Sequence, residues 1–465
     1  MGKPLMKPFT AIPQDPWYLR LAHSVAFIKD APEFFQQQEN KHGPIFRCNL
    51  FGVNSLRVHG PDFVERVYKN SEEWVAIGPA WEPALMKIFP QGLLMKDGAH
   101  HLAHRRILQQ AFSKAAMATY FNQIQEWADD LVAELPERLD FYPFIKAHTL
   151  NIALKLFLGI EQNDPTGQRV ATHFNAILAG SMALVRWPLL NNKFHRAVKG
   201  RRQLVEIFHC LLTQRKQKTG KDLLSFLLQA KYEQGFNLSD EQIVDHVIFM
   251  MLAAHDTTAS ALCSLLYWLT EKPSWQEKVR QELAAAKLNQ PKDLQPLNVT
   301  DNVFKETLRL FPPIVTMPRV INHDCEILGY QVPAGTQTGI NTFHCHHHPD
   351  YWSYPERFDP DRFERGEDKS HPYAFIPFGA GVHKCIGMHL GSIETKLFLA
   401  ALLKKFEVQR EIGERMKWAK VPVWRPQNEL NLRLVPRPVL GSQVDSTVQR
   451  QRQKELAASI QPHYS

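Results

Sequence analysis

The sequence predicts a mainly helical fold with a minor β component (mainly α, α+β), and three observations carry that reading. From about residue 99 to 290, apolar residues recur at helical spacing and β-branched runs are few. Within that stretch Ser239-Asp-Glu-Gln242 fits a capping box and Pro273 supplies a stop. Roughly 30 residues between them make a helix about 45 Å long, enough to cross the molecule. Residues 318–340, by contrast, hold short alternating stretches broken at Gly329 and at Pro333-Ala-Gly335, which predict a small sheet.

The remaining elements follow in order. Residues 1–40 read as a Pro-rich, weakly helical lead-in. Ile45–Leu50 and Ser55–His59 read as a strand pair around Gly52-Val53-Asn54. A helix opens at Pro61, where proline suits the first helical position. Another runs near 300–310 and must stop at Pro312-Pro313. A loop rich in Pro and Asp spans 349–381, and a helix follows Cys385. No Gly/Ser linker, repeat or low-complexity tract divides 41–440, so that span is read as one domain, with a polar tail over 441–465.

Composition narrows the function classes. Apolar residues make up 44% and charged residues 22%, as in a globular enzyme. The formal charge of +8 suggests a basic face for an acidic protein partner. No Lys/Arg stripe with interleaved aromatics argues for nucleic acid. Six cysteines without C-x-x-C spacing do not form a disulfide framework, which points to a reducing cytoplasm. The opening Met1-Gly2-Lys3-Pro4 lacks an apolar leader. The most apolar stretch, Ile243–Leu269, is interrupted by Asp245, His246, His255 and Asp256, so no transmembrane anchor is expected. His344-Cys-His-His-His348 fits no common zinc spacing and is read as a loop without metal.

The most informative segment is Phe375-Ile-Pro-Phe-Gly-Ala-Gly-Val-His-Lys-Cys-Ile-Gly387. Pro377, Gly379 and Gly381 force an irregular backbone, and Gly387 lets a helix start lie close to something flat. Cys385 stands where loop turns to helix, and free amides at a helix start favour thiolate. Phe378-Gly-Ala-Gly-Val-His383-Lys-Cys385-Ile-Gly387 resembles the heme-binding signature of the cytochrome P450 family, F-x-x-G-x-x-x-C-x-G. The resemblance implies the P450 fold, a triangular helical prism with a small sheet region. It makes Cys385 the axial ligand of the iron in heme b, with Phe378 and Gly387 against the ring. His383, where the family usually carries arginine, becomes a pH-dependent propionate contact.

Accompanying motifs stand in family order over roughly residues 40–435. Glu306 and Arg309, three apart in Lys-Glu-Thr-Leu-Arg-Leu, match a buried E-x-x-R pair, and the resemblance gives its second arginine as Arg357. Ala253-Ala-His-Asp256-Thr257-Thr matches the motif in which the acid passes protons and the threonine faces the dioxygen site, with Ala254 replacing the usual glycine. His101 and Arg105 match H-x-x-x-R beside the propionates, with His104 and Arg106 as competing registers. Arg319 matches a basic residue on the following strand.

The resemblance therefore implies a monooxygenase that hydroxylates or epoxidises an apolar small molecule, a sterol, terpenoid or fatty acid. Candidate pocket walls include Trp74, Trp81, Phe89, Trp187, Phe249, Ile314, Val315 and Trp424. Residues 177–202 read as a lid over the pocket or a contact with a membrane surface. No flavin or iron–sulfur region is evident, so electrons from NAD(P)H must arrive through a ferredoxin or flavodoxin and its reductase. Lys384, Lys396, Lys404 and Lys405 are candidates for that docking face. A monomer is expected. A peroxide-driven or non-oxygenating relative, or a heme-binding sensor or electron carrier, would not need the Asp256–Thr257 pair.

Overall fold

A computed structural model describes residues 6–437 apart from 71–72, 162, 182–191, 219, 233–234 and 412. The expected lid segment around Trp187 and the tail over 441–465 lie outside the described residues.

The lead-in proves to be part of the folded body. It forms α1 (Arg20–Lys29) and α2 (Ala31–His42). Asp30 caps α2 by accepting from Glu33 N, and Pro32 sits in its first turn. Phe27, Phe34 and Phe35 bury against Phe46 and Cys48 of β1 (Ile45–Leu50). The expected boundary at residue 41 thus falls inside a helix. β1 pairs antiparallel with β2 (Val53–Val58). The turn lies at Phe51 and Gly52, both with positive φ, one step earlier than expected.

After α3 (Pro61–Lys69), β3 (Val75–Ala76) and α4 (Gly78–Leu85) comes the helical body. It contains α5 (Gly98–Gln110), α6 (Lys114–Ala133), the short β4 (Arg138–Asp140) and α7 (Phe141–Leu158). α8 (Pro165–Ser181), α9 (Lys193–Gln217) and α10 (Leu223–Gln229) follow. α11 (Asp240–Glu271) begins with the expected reciprocal Ser239–Gln242 capping box, and Pro273 opens α12 (Pro273–Ala285). Its 32 residues span about 48 Å. Among the described residues it alone is long and apolar enough to cross a bilayer, but it is mostly buried inside the protein, as a core helix is.

α13 (Asn298–Leu310) leads to β5 (Thr316–Ile321), β6 (Cys325–Ile327), β7 (Tyr330–Val332) and β8 (Gln337–Asn341). The larger sheet has the order β1-β2-β8-β5-β3, antiparallel except where β2 meets β8. α14 (Thr342–His347) and α15 (Met388–Lys405) flank the long loop region. The chain closes with β9 (Phe406–Arg410), β10 (Trp418–Ala419), β11 (Arg425–Pro426) and β12 (Asn431–Pro436), the last pairing with β4 and β9. The site residues come from α5, α11, β5 and the loop before α15.

Candidate active site

The cysteine loop is held by backbone geometry. Gly379 and Gly381 have φ of +66° and +59°, the left-handed region where a side chain is strained. A Cβ on Gly381 would approach the Tyr68 carbonyl oxygen of α3 to 2.5 Å, so no larger residue fits. Cys385 N donates to Phe378 O at 2.8 Å, closing the loop on itself. Phe378 packs against the main core. The Cys385 side chain is accessible yet surrounded by protein on most sides. Burial pushes its thiol up, against the amides of Gly387 and Met388 and the charges of Arg105 and Lys384, which favour thiolate. The sequence argument from helix-start amides therefore identifies a real but outweighed effect. At Gly387 a Cβ would meet no atom within 4 Å, so the helix start presents bare backbone to a flat group.

Beside the thiol lies a cluster of bases. His101 and His383 stand ring to ring, 3.9 Å between centroids. Arg105, one turn along α5, acts on both His383 and Cys385. Arg319 is buried on β5, donates to Pro318 O at 2.8 Å and lies 6.0 Å over the Tyr68 ring. Burial and the Arg105 charge push His101 down to about 4, and burial with His101, Arg319 and Arg105 pushes His383 down to about 3. Burial pushes Arg319 down, and Asp97, whose two oxygens accept from Ile77 N and Gly78 N, acts against the shifts of both Arg319 and His101. The buried Nδ1 of His101 has no hydrogen-bond partner. Two guanidinium groups and two imidazoles that form no salt bridge among the described residues, next to a cysteine and bare glycine backbone, match heme b with its two propionates. His104 turns the other way, 2.8 Å from His246 of α11 and 3.2 Å from Tyr232, and Arg106 is exposed.

The E-x-x-R pair is as expected, but its third member is not. Glu306 and Arg309 are fully buried and joined bidentately, Nε–Oε2 2.7 Å and Nη2–Oε1 3.0 Å. The second guanidinium is that of Arg362, with Nε 3.0 Å from Glu306 Oε1. Arg357 has an exposed side chain and contributes only its carbonyl, which accepts from Arg309 and Arg362. The reason is local: Pro360 opens a 3-10 turn over Pro360–Arg362 that swings Arg362 back under Trp352. Sequence reasoning also missed His346. Its Nε2 accepts from Ile376 N at 2.9 Å while Nδ1 donates to Arg309 O at 3.2 Å, tying the ion pair to the cysteine loop. Burial pushes His346 down to about 3, so it works as a neutral bridge.

On α11, Thr257 Oγ1 donates to Ala253 O at 2.6 Å, one turn back. Asp256 Oδ1 lies 2.9 Å from Lys146 Nζ of α7 and 3.6 Å from His255 Nε2. Thr149 Oγ1 lies 3.1 Å from Lys146 O and 3.0 Å from His255 Nδ1, tying α7 to α11. Burial pushes the His255 imidazole down to about 4, with Asp256 acting against that shift. Lys146 could not be assigned from sequence, because α7 lies about a hundred residues upstream.

Other expectations are corrected. Lys396 is buried, paired with Asp301 at 2.8 Å, and cannot face a partner, whereas Lys384, Lys404 and Lys405 are exposed. Trp74 is buried against Phe63, Trp424 between Phe311 and Phe343, and Val315 in that same cluster, so none lines an open pocket. Trp81, Phe249 and Ile314 stay partly open.

Comparison with known proteins agrees with this geometry. The family model "Cytochrome P450" matches residues 13–430. A putative cytochrome P450 136 of Mycobacterium tuberculosis is 32% identical over 90% of this chain and 87% of its own length. Abscisic acid 8'-hydroxylase 2 of Arabidopsis thaliana is 26% identical over 88% and 86%. The structure of retinoic acid-bound cyanobacterial CYP120A1 superposes with a TM-score of 0.82 at 26% identity, covering 89% of this chain and 96% of that one. The chain accordingly belongs to the cytochrome P450 family and is a heme-dependent monooxygenase.

Proposed function

We infer that Cys385 is the thiolate ligand of heme b, that His101, Arg105, Arg319 and His383 hold the propionates, and that Asp256 and Thr257 manage protons. The carrying observation is the partly buried cluster of bases beside a cysteine whose sulfur receives two helix-start amides. Heme, when bound, supplies the redox chemistry in which O2, two electrons and two protons convert a C–H bond to C–OH and water. Glu306, Arg309, Arg362 and His346 hold the cysteine loop rigid. Thr257 spends its proton on Ala253 O, leaving oxygen lone pairs to accept a hydrogen bond. Asp256, partly exposed and held by Lys146, exchanges protons with solvent, with His255 Nε2 beside it at 3.6 Å.

Electrons come from a separate acidic ferredoxin or flavodoxin, whose reductase draws on NAD(P)H. Exposed Lys384, Lys404 and Lys405 support docking near the cysteine loop. Raising ionic strength from about 0.05 to about 0.5 M slows first-electron transfer roughly tenfold, because the screening length shrinks below the charge spacing. A rate indifferent to salt in stopped flow counts against this face.

The substrate is read as an apolar isoprenoid-type molecule. Support comes from the apolar face of α11 around Leu252, Ala253 and Ala254, with Phe249 against Phe89. Relatives are named for abscisic acid and taxane hydroxylation, and one solved structure holds retinoic acid. Titrating terpenoids, retinoids, sterols and fatty acids against the ferric protein should give saturable spectral shifts for isoprenoids, with product one oxygen atom heavier. Shifts and turnover confined to straight-chain fatty acids reject this substrate class.

A further inference from the structure

A second polar cluster lies away from the cysteine loop, where α2 meets the larger sheet. Glu39 comes from α2, His59 from the segment between β2 and α3, and His344 from the histidine run in α14. One ligand atom from each lies within 4.8 Å of the others. Glu39 Oε2 stands 2.9 Å from His59 Nδ1 and 2.9 Å from His344 Nε2, and the two imidazole rings are 4.3 Å apart. Only His344 Nε2 makes a well-directed bond, to Oε1 at 3.2 Å. His59 Nδ1 and Glu39 Oε2 are both buried without a hydrogen-bond partner, although the His59 side chain is only 1% exposed. At 2.9 Å His59 Nδ1 and Glu39 Oε2 are at ion-pair distance, but the contact lacks the direction of a hydrogen bond, so both atoms can turn to a shared ligand.

We propose that Glu39, His59 and His344 form a binding site for a borderline divalent cation, Zn2+ being the best match, which fastens α2 to the sheet and α14. Two imidazole nitrogens and one carboxylate suit zinc, whereas magnesium and calcium call for more oxygen ligands. Bonds of about 2.0–2.1 Å in a tetrahedral set place ligand atoms about 3.3 Å apart, so the carboxylate need retreat by only a few tenths of an ångström. Glu39 is 18% exposed and His344 9%, which leaves a route for the ion and a side for a water ligand. Asn341, whose side chain caps α14, makes a long contact of 3.4 Å with His59 Nε2, on the far side of the ring from Glu39. The run His344–His348 suggests no such site by spacing, because two of the three ligands lie some 285 to 305 positions away, on the order of the whole chain.

The test uses heme-loaded full-length protein, treated with chelator and dialysed free of metal. Titration with ZnCl2 is expected to give one Zn2+ per heme that survives gel filtration, with a thermal midpoint that rises with Zn2+ concentration. Glu39→Gln, close in shape to the native residue, and His344→Ala should each weaken binding by more than about tenfold. His371→Ala should not, although His371, Asp62 and Glu65 form another, more exposed group of potential ligands. No stoichiometric Zn2+ in the wild-type protein overturns the proposal. So does binding unchanged in Glu39→Gln, or binding lost in His371→Ala.

Discussion

Arg362→Leu is expected to destabilise the protein by about 3–5 kcal/mol, whereas Arg357→Ala leaves the unfolding midpoint unchanged. Glu306, Arg309 and Arg362 have side chains with no solvent exposure. Two guanidinium groups face one carboxylate there, and Glu367 supplies the second negative charge at 2.6 Å from Arg362. Removing Arg362 leaves Glu306 Oε1 with Arg309 and the Asp359 amide alone, and leaves Ser353 O without its partner. The loss lands on the support of the cysteine loop, since Arg309 reaches that loop through His346. Urea unfolding of the two variants, with heme content after purification, checks this. The Arg362 variant should purify with reduced heme, and the Arg357 variant with a full complement. Equal midpoints would return the third position of the triad to Arg357.

The second large effect falls on chemistry. Asp256→Asn is expected to lower product formation on the order of 100-fold, while substrate affinity and the heme spectrum stay unchanged. The amide keeps the shape of the side chain but cannot carry a proton to or from solvent. Lys146→Met should cost less than about tenfold, because Lys146 positions the acid and is itself partly exposed. NAD(P)H oxidation and product measured together, in H2O and D2O, separate these roles. A larger solvent isotope effect in Asp256→Asn marks slowed proton delivery, whereas a fall in substrate affinity alone would show that Asp256 shapes the pocket.

What could be read from sequence divides along a physical line. The ends of α11, the start of α3 and the stop of α13 are set by caps and prolines within a few residues, so local chemistry specifies them. The cysteine loop was legible because its glycines are needed where the backbone meets Tyr68. Partners supplied by distant elements were not. Arg362 and Arg357 are five residues apart in one irregular loop, and only the turn at Pro360 decides which guanidinium reaches Glu306. Lys396 looks like a surface charge until Asp301 of α13 is seen beside it. Trp74 and Trp424 are apolar enough for a pocket or a core, and tertiary packing chose the core.

All these roles presuppose sulfur from Cys385 bound to iron as an anion. Reduced protein treated with carbon monoxide should show the strongly red-shifted Soret band of thiolate ligation, and Cys385→Ser should lose it while Cys345→Ser keeps it. A wild-type protein without that band, or a Cys385→Ser variant that retains it in full, would contradict the assignment of the site.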